Sequence, residues 1–319
     1  MEFLKRKSAP WAVAFVLAVL LVAGYQSLCA APADFPAGSI VSIELGSSAS
    51  TVSEQLATAR IIKHPAFLQL VLRAAGWSGR VQAGAYRFET PQNVFVVAYR
   101  IALGDHGFPP VRLTFTEGVT AREMAVHIAE AFSEIAEADF IAEAKQYEGY
   151  LFPDTYLFPP SSDATSVVAL LRGNFDTKIA TIADDIRASG RSLSDIVIIA
   201  SLLEKEARTT ESRRMVAGIL ANRLRLGMPL QVDAVFGYIF NRDTYSPSFA
   251  DLKVDSPYNT YTHTGLPPGP INNPGLDSLL AAARPAETEY LYYLTGKDDR
   301  MHYATTYVGH QANQRKYLK

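Results

Sequence analysis

Between Ser8 and Ala33 the chain has no charged side chain, and Trp11 to Ala31 is mostly Ala, Val and Leu. A run like this has no polar face to turn towards water. As a helix its 21 residues reach roughly 30 Å, which matches the hydrocarbon core of a bilayer. Lys5, Arg6 and Lys7 precede the run and Asp34 follows it. The positive-inside tendency then keeps the N-terminus in the cytoplasm and exports everything after residue 33. Residues 1–10 are therefore expected to be cytoplasmic, and 11–31 a single-pass anchor in the cytoplasmic membrane. The alternative is a cleaved signal peptide, with Trp11 to Ala23 as its apolar stretch and small residues near Cys29 to Ala31 at the cut. A retained anchor is favoured, and both readings export the body of the chain.

That body is long enough for more than one folded unit, since 319 residues exceed an average domain. Hydrophobic residues make up 48% of the chain and aromatic residues 11%, enough to build a core. The net charge is −2, and no basic stripe runs through the body. Long-range attraction to phosphate needs clustered Lys and Arg, so nucleic acid is not an expected partner. Cys29 is the one cysteine, which rules out an internal disulfide. Bulky Leu28 just before it argues against a lipid-modified cysteine. The six histidines, His64, His106, His127, His263, His302 and His310, show no ligand spacing. No metal and no cofactor is expected.

The organisation reads as α+β. After Pro32, Pro36 and Gly38, "SIVSIELG" alternates like a strand, and Ser50 to Ala59 has helical spacing. Pro65 opens a second helix that stops near Gly76, and "RVQAGAYRF" is a second strand. A helix over Asn93 to Leu103, a Pro109-Pro110 linker and the strand "VRLTF" follow. Thr120 and Glu123 form a capping box for the next helix. The boundary is placed near Gly107, which gives a small unit at 38–106 and a larger mixed unit at 107–319. A late hairpin joins "YLYYLTG" to "MHYATT" around Lys297 to Asp299.

The segment "SDIVIIASLLEKEA" carries the most chemistry. Ser194 and Asp195 are expected to cap a helix that is apolar until Glu204, Lys205 and Glu206. Three, four and seven positions before Glu206 stand Leu203, Leu202 and Ile199, so Glu206 extends the apolar stripe. Desolvation there raises a carboxyl pKa towards neutrality. Glu204 is placed for an i,i+4 pair with Arg208. A carboxylic acid still protonated near pH 7 can protonate a glycosidic oxygen, which makes Glu206 the candidate acid. The plainer alternative has both glutamates ending a buried helix in solvent. Ser201, inside the apolar helix, is read as a packing residue.

Three further stretches surround that candidate. "EGYLFPDTYLFPP", Glu148 to Pro160, is a rigid, non-helical strip with four aromatics, two acids and three prolines. "ANRLRLGMPLQVD" is a helix closed at Gly227 that leads to Gln231 and Asp233. Ser256 to Gly275 is a 20-residue loop with five prolines and three glycines. Loops of this length inside a compact domain are usually functional. Tyr258 and Tyr261 offer flat surfaces for sugar rings, and Asn259 and Thr260 offer neutral hydrogen-bond groups. A Pro-rich brace over the core is an equal alternative for each of these residues.

In this order, and behind one N-terminal anchor, "EGYLFPDTY", "ASLLEKEA", "NRLRLGMPLQVD" and "SPYNTYTHTGLPPGPINNPG" resemble the MltG (YceG-like) family of endolytic murein transglycosylases. The resemblance covers roughly residues 38 to 319. It implies a LysM-like subdomain at 38–106, matching the strand, helix, helix, strand order, and a catalytic domain at 107–319. It also implies cleavage of the MurNAc–GlcNAc bond within nascent peptidoglycan strands, leaving 1,6-anhydro ends and terminating glycan elongation. The implied location is the bacterial cytoplasmic membrane, with the catalytic part outside the cytoplasm. Peptidoglycan strands are the implied substrate, and peptidoglycan synthases are further expected partners. The family's essential glutamate falls on Glu206; Gln231, Asp233, Tyr258, Asn259, Thr260 and Tyr261 are the candidate substrate-binding residues. One departure stands out: the family usually has Asp-Pro-Thr after Gln-x-Asp, whereas Ala234 and Val235 follow Asp233 here.

A lytic transglycosylase needs one carboxyl group, whereas a common hydrolase wants a second acid about 5 to 10 Å away. Asp233 and Asp154 are the residues that could supply one. The reading from another class is a non-catalytic peptidoglycan-binding scaffold for wall-synthesis enzymes, which would not need a desolvated acid.

Overall fold

Side-chain caps fix many of the helix starts. In this computed structural model, residues 9–242 and 247–319 are described, with the side chains of residues 9, 10 and 12 excepted. Lys5, Arg6 and Lys7, on which the cytoplasmic expectation rests, lie outside the described residues. The chain divides into two compact units between Pro109 and Pro110.

The first unit begins with helix α1 (Ala9–Leu28), which ends short of the expected Ala31. Its apolar side chains face outward, with Trp11 79% and Leu21 75% exposed. Among the described residues, no helix is long and apolar enough to cross a membrane; within α1 the described side chains are continuous only over 13–28. Beyond α1, strand β1 (Ser39–Ile43) pairs antiparallel with β2 (Gly84–Phe88), Ser39 opposite Phe88. Between them lie α2 (Ala49–Thr58), capped by Ser48, and α3 (Pro65–Ala74), opened by its proline. Val41, Ile43, Leu56, Leu68, Leu72, Tyr86 and Phe88 meet in one buried cluster. Alternation on the strands and i,i+4 spacing on the helices aim these residues inward.

Helix α4 (Val94–Leu103) closes this core, with the Asn93 side chain accepting from the N–H groups of Phe95 and Val96. Its one charged residue, Arg100, is 4% exposed. The guanidinium donates to the carbonyls of Arg87 at 2.8 Å and Asp105 at 3.2 Å, and to Gln92 Oε1 at 2.9 Å. It also lies over the Phe88 ring, 4.8 Å from its centroid. Gly107, at φ +71°, lets the chain pass close by: a Cβ there would sit 1.9 Å from Arg100 Nη2.

The second unit has two cores. In one, β3 (Val111–Thr114) pairs antiparallel with β4 (Thr155–Phe158), so the proline-flanked strip supplies a strand as well as loop. Helices α5 (Ala121–Ala131), α6 (Glu137–Ala144) and α7 (Ala164–Thr181) bring Met124, Ile128, Phe140 and Leu171 onto Tyr156 and Phe158. Thr120 and Glu123 form the expected capping box.

The other core is built around α9 (Leu193–Glu206), which follows the short α8 (Ala183–Ser189) and is buried on all sides from Ile196 to Leu203. Its N-cap is Ser192, whose hydroxyl accepts from Asp195 N, where Ser194 and Asp195 were expected to cap. Ser192 alone has the extended backbone a cap needs, and Asp195 is left as a first-turn acid that complements the helix dipole. Helices α10 (Thr210–Arg225), α11 (Val235–Phe240) and α12 (Leu276–Ala283) pack with α9 through Val216, Leu220, Phe236 and Leu279. The late hairpin is β5 (Tyr292–Thr295) with β6 (Met301–Ala304), followed by α13 (Tyr307–Tyr317).

Gly107→Ala forces both a left-handed backbone on a β-carbon and displacement of Arg100 from its three acceptors. It is expected to cost about 2–4 kcal/mol, read as loss of the thermal transition of the first unit by calorimetry.

Candidate active site

The C-terminal end of α9 is held from two directions. Ser201 is the packing residue expected: its hydroxyl donates to Ile198 O and accepts from Ile271 N at 3.1 Å. Asn272 Nδ2 donates to Ser201 O at 2.8 Å. Both bonds lock the end of the proline-rich loop onto α9. One turn on, Glu204 accepts from Arg213 Nη2 at 2.7 Å and from Gly275 N at 2.8 Å, and Arg213 also reaches Asp277 at 2.6 Å. The Glu204 side chain is 4% exposed.

Glu204 therefore does not make the expected surface pair with Arg208. α9 stops at Glu206 and Ala207 is extended, so no further turn sets Arg208 above Glu204. The Arg208 side chain is 92% exposed and lies 3.9 Å from Asp299.

Glu206, the last residue of α9, opens on the other side into a cleft of about 670 Å³. Burial pushes its carboxyl up to about 7. The Tyr293 hydroxyl, which donates to Glu206 Oε2 at 3.0 Å, pulls it down, as does Ala234 N–H, while the charge of Asp233 pushes it up. Tyr293 comes from β5, and burial and the Glu206 charge hold its phenol far above the ordinary range. Its proton therefore stays on oxygen and points at the glutamate.

Asp233 lies in the same lining, its carboxyl raised by burial and opposed by a hydrogen bond from the Tyr261 hydroxyl. Gln231 adopts a left-handed φ of 52° and donates its N–H to Thr260 O at 3.0 Å. Val232 N donates to Thr260 Oγ1 at 2.9 Å, so residues 231–233 are laid along the long loop. The buried Arg223 guanidinium braces this turn: it donates to Leu230 O at 2.7 Å and to Leu291 O at 2.7 Å. Its charge lies 5.2 Å from the centre of the Tyr292 ring, which stacks on His310.

The fold thus gathers Glu206, Gln231, Asp233 and Tyr261 around one cleft. Tyr258, Asn259 and Thr260 are not in its lining. Asn259 is fully buried, donating to Leu252 O and Val254 O and accepting from Tyr261 N. Thr260 is 3% exposed and holds Val232. Tyr258 packs on Tyr238, ring centres 5.0 Å apart. Asp154 is also elsewhere, accepting from Thr155 N and Asn174 and lying 3.4 Å from Lys178; these partners outweigh burial and hold its carboxyl low. Among the described lining residues the acids are Glu206 and Asp233. No group of three or more His, Cys, Asp or Glu converges to hold a metal among the described residues.

Arg223, Tyr292, Tyr293 and His310 were missed as site residues. The one available signal was the tyrosine-rich entry to the hairpin, with Tyr290, Tyr292 and Tyr293 within four residues; Arg223, between Asn222 and Leu224 in α10, carried no local mark.

The model of the YceG-like family matches residues 41–316. A protein of Bacillus subtilis (strain 168) described as an endolytic murein transglycosylase is 29% identical, over 87% of this chain and 84% of the relative. Proteins with the same description in Streptococcus pneumoniae D39 and R6 are 26% identical over 87% of this chain, which spans 58% of their length. The crystal structure of a yceG-like protein from Listeria monocytogenes aligns with a TM-score of 0.59 and 28% identity, covering 86% of this chain and 98% of that one.

Glu204→Gln breaks a buried ion pair and is expected to cost about 2–3 kcal/mol, measured by denaturant unfolding. Glu206→Gln should behave oppositely. The fold favours the protonated Glu206, so that stabilisation is complete below the unfolded pKa near 4.5 and lost as pH rises through about 7. At pH 8 the amide variant should be more stable than the parent by on the order of 1–3 kcal/mol, and the difference should vanish near pH 4.

Proposed function

The chain belongs to the YceG-like family, and on that footing we propose that it is an endolytic transglycosylase cutting peptidoglycan strands, with Glu206 as its acid and base. The observation that carries the reading is a carboxyl that holds its proton near neutral pH at the floor of an open cleft. The protonated Glu206 gives its proton to the oxygen bridging MurNAc and GlcNAc, and the C1–O bond breaks with its electron pair leaving on that oxygen. The resulting carboxylate takes the proton from the C6 hydroxyl of MurNAc as O6 bonds to C1. A 1,6-anhydro ring closes, no water is consumed, and Glu206 is again protonated.

The remaining lining residues suit this cycle. Tyr293 steadies the carboxylate in its charged half-cycle, and Asp233 puts negative charge where positive charge develops at C1. Hydrolysis is the second reading, favoured by Asp233 lying in the same lining, where it could activate water. A scaffold without catalysis has no use for the raised pKa.

Residues 11–31 are proposed to hold the enzyme in the bacterial cytoplasmic membrane, N-terminus in the cytoplasm and catalytic part outside. Support comes from the apolar, outward-facing helix α1. The unit at 38–106 is proposed to be a LysM-like glycan-binding module, supported by its strand, helix, helix, strand order. An anchored enzyme meets strands as they are made, which makes peptidoglycan synthases natural partners and chain termination a natural outcome.

Glu206→Gln should lower the rate on purified glycan strands at least about a hundredfold. Parent products should carry 1,6-anhydro ends, one water lighter by mass spectrometry than hydrolysed ends; reducing ends would make the enzyme a hydrolase. In the parent, kcat/KM should fall as pH rises through about 7 and the acid loses its proton. Tyr293→Phe removes a bond that favours the carboxylate, so that falling limb should move to higher pH with a smaller loss of rate.

A further inference from the structure

We infer that the first unit rests on the membrane surface through the outer face of α4. The inner face of that helix is Val94, Val97, Ala98, Ile101 and Ala102, all buried. A surface helix ordinarily sets Lys and Glu on its other side. Here the outer line is Phe95, Tyr99 and Leu103, at i,i+4 spacing and each about half exposed. It runs about 12 Å along the axis. The line is widened by Phe67, whose ring is 6.1 Å from that of Phe95, and by Trp77, 6.1 Å from Tyr99. The helix's one charge, Arg100, points inward to backbone carbonyls.

What lies next to this face identifies its occupant. The last turn of α1 and Cys29 just after it are bonded to the start of α4 and to the residues that lead into α3, the two helices that carry most of the patch. Val94 N donates to Cys29 O at 2.9 Å, at the first residue of α4. Lys63 Nζ donates to Gln26 O at 2.5 Å, and His64, the cap of α3, meets Ser27 O at 3.2 Å. Phe95 follows Val94 and Phe67 lies in the first turn after His64, so the aromatic face begins where the apolar helix ends. If α1 crosses the bilayer, as proposed above and as this inference requires, that junction is the headgroup region. Tyr, Trp and Phe on a Leu-bearing face are the side chains that partition there. Exposed Lys63 and Arg73 can meet lipid phosphates from the same unit.

The chain's two tryptophans, Trp11 and Trp77, make the test direct. The full chain is placed in vesicles of phosphatidylethanolamine and phosphatidylglycerol with brominated acyl chains. The W77F variant reports on α1 through Trp11, and W11F/W77F/F95W reports on the α4 face. Both reporters should be quenched, the F95W reporter by about twofold and best by bromine near the headgroups. Adding Y99S and L103S should relieve its quenching while Trp11 in the matching W77F background stays quenched. Quenching of Trp11 without quenching of the F95W reporter would leave the anchor standing and overturn the surface docking. No quenching of either would sink the anchor, and the docking with it. Shielding of the F95W reporter from aqueous iodide only when glycan strands are added would make the face a glycan site and also overturn the proposal.

Discussion

A helix buried on all sides has no polar face on which to end, so the turn where α9 meets water must manage its own charges. The fold solves this with two carboxylates of opposite kind. Glu204 stays within the protein, tied to Arg213 and to the backbone of Gly275. Glu206 is surrounded by protein yet opens on the cleft, with the Tyr293 phenol and the Ala234 N–H for partners and, among the described residues, no cation paired to it in the way Arg213 is paired to Glu204. The first glutamate fixes where α9 ends; the second uses that fixed point. Their separation by a single residue lets one helix terminus serve both as a rigid joint and as an acid.

The same terminus organises the longest loop. Ile271, Asn272 and Gly275 all bond to Ser201 or Glu204, so the loop leaves α9 only after its end has been pinned. From there its earlier residues reach Val232 and, through Tyr261, Asp233. The position of the second acid thus depends on the bonds that hold the first. Neutral groups make most of these contacts, and the one buried cation among the described lining residues, Arg223, is spent on the carbonyls of Leu230 and Leu291.

Several elements were legible because local physics decides them. The Thr120 and Glu123 capping box, the proline start of α3 and the tyrosine-rich hairpin follow from residues a few positions apart. Glu206 was legible because three-, four- and seven-residue offsets report a helix face. Glu204 was misjudged by the same arithmetic, since Arg208 lies beyond the last turn while the true partner, Arg213, starts the next helix. Asn259 and Thr260 look suited to sugars in sequence, yet both are consumed by backbone groups of neighbouring segments, at Leu252, Val254 and Val232. Tyr293 lies 87 residues from Glu206, and no local pattern can announce a contact at that range.

The phenol's late place in the chain also orders events in time. The glutamate, its joint to Arg213 and the turn at Asp233 are complete in sequence before β5 begins, whereas the phenol and the Tyr292 and His310 wall arrive with the last thirty or so residues. The closing segment is itself stitched down at its end, where Lys297 N donates to Tyr317 O and His302 stacks on Tyr317. A polypeptide threading out N-terminus first therefore carries an acid without its partner and a cleft without one side. Clipping ahead of β5 strips away the phenol and one wall of the cleft together, while the glutamate and its joint to Arg213 stay in the chain.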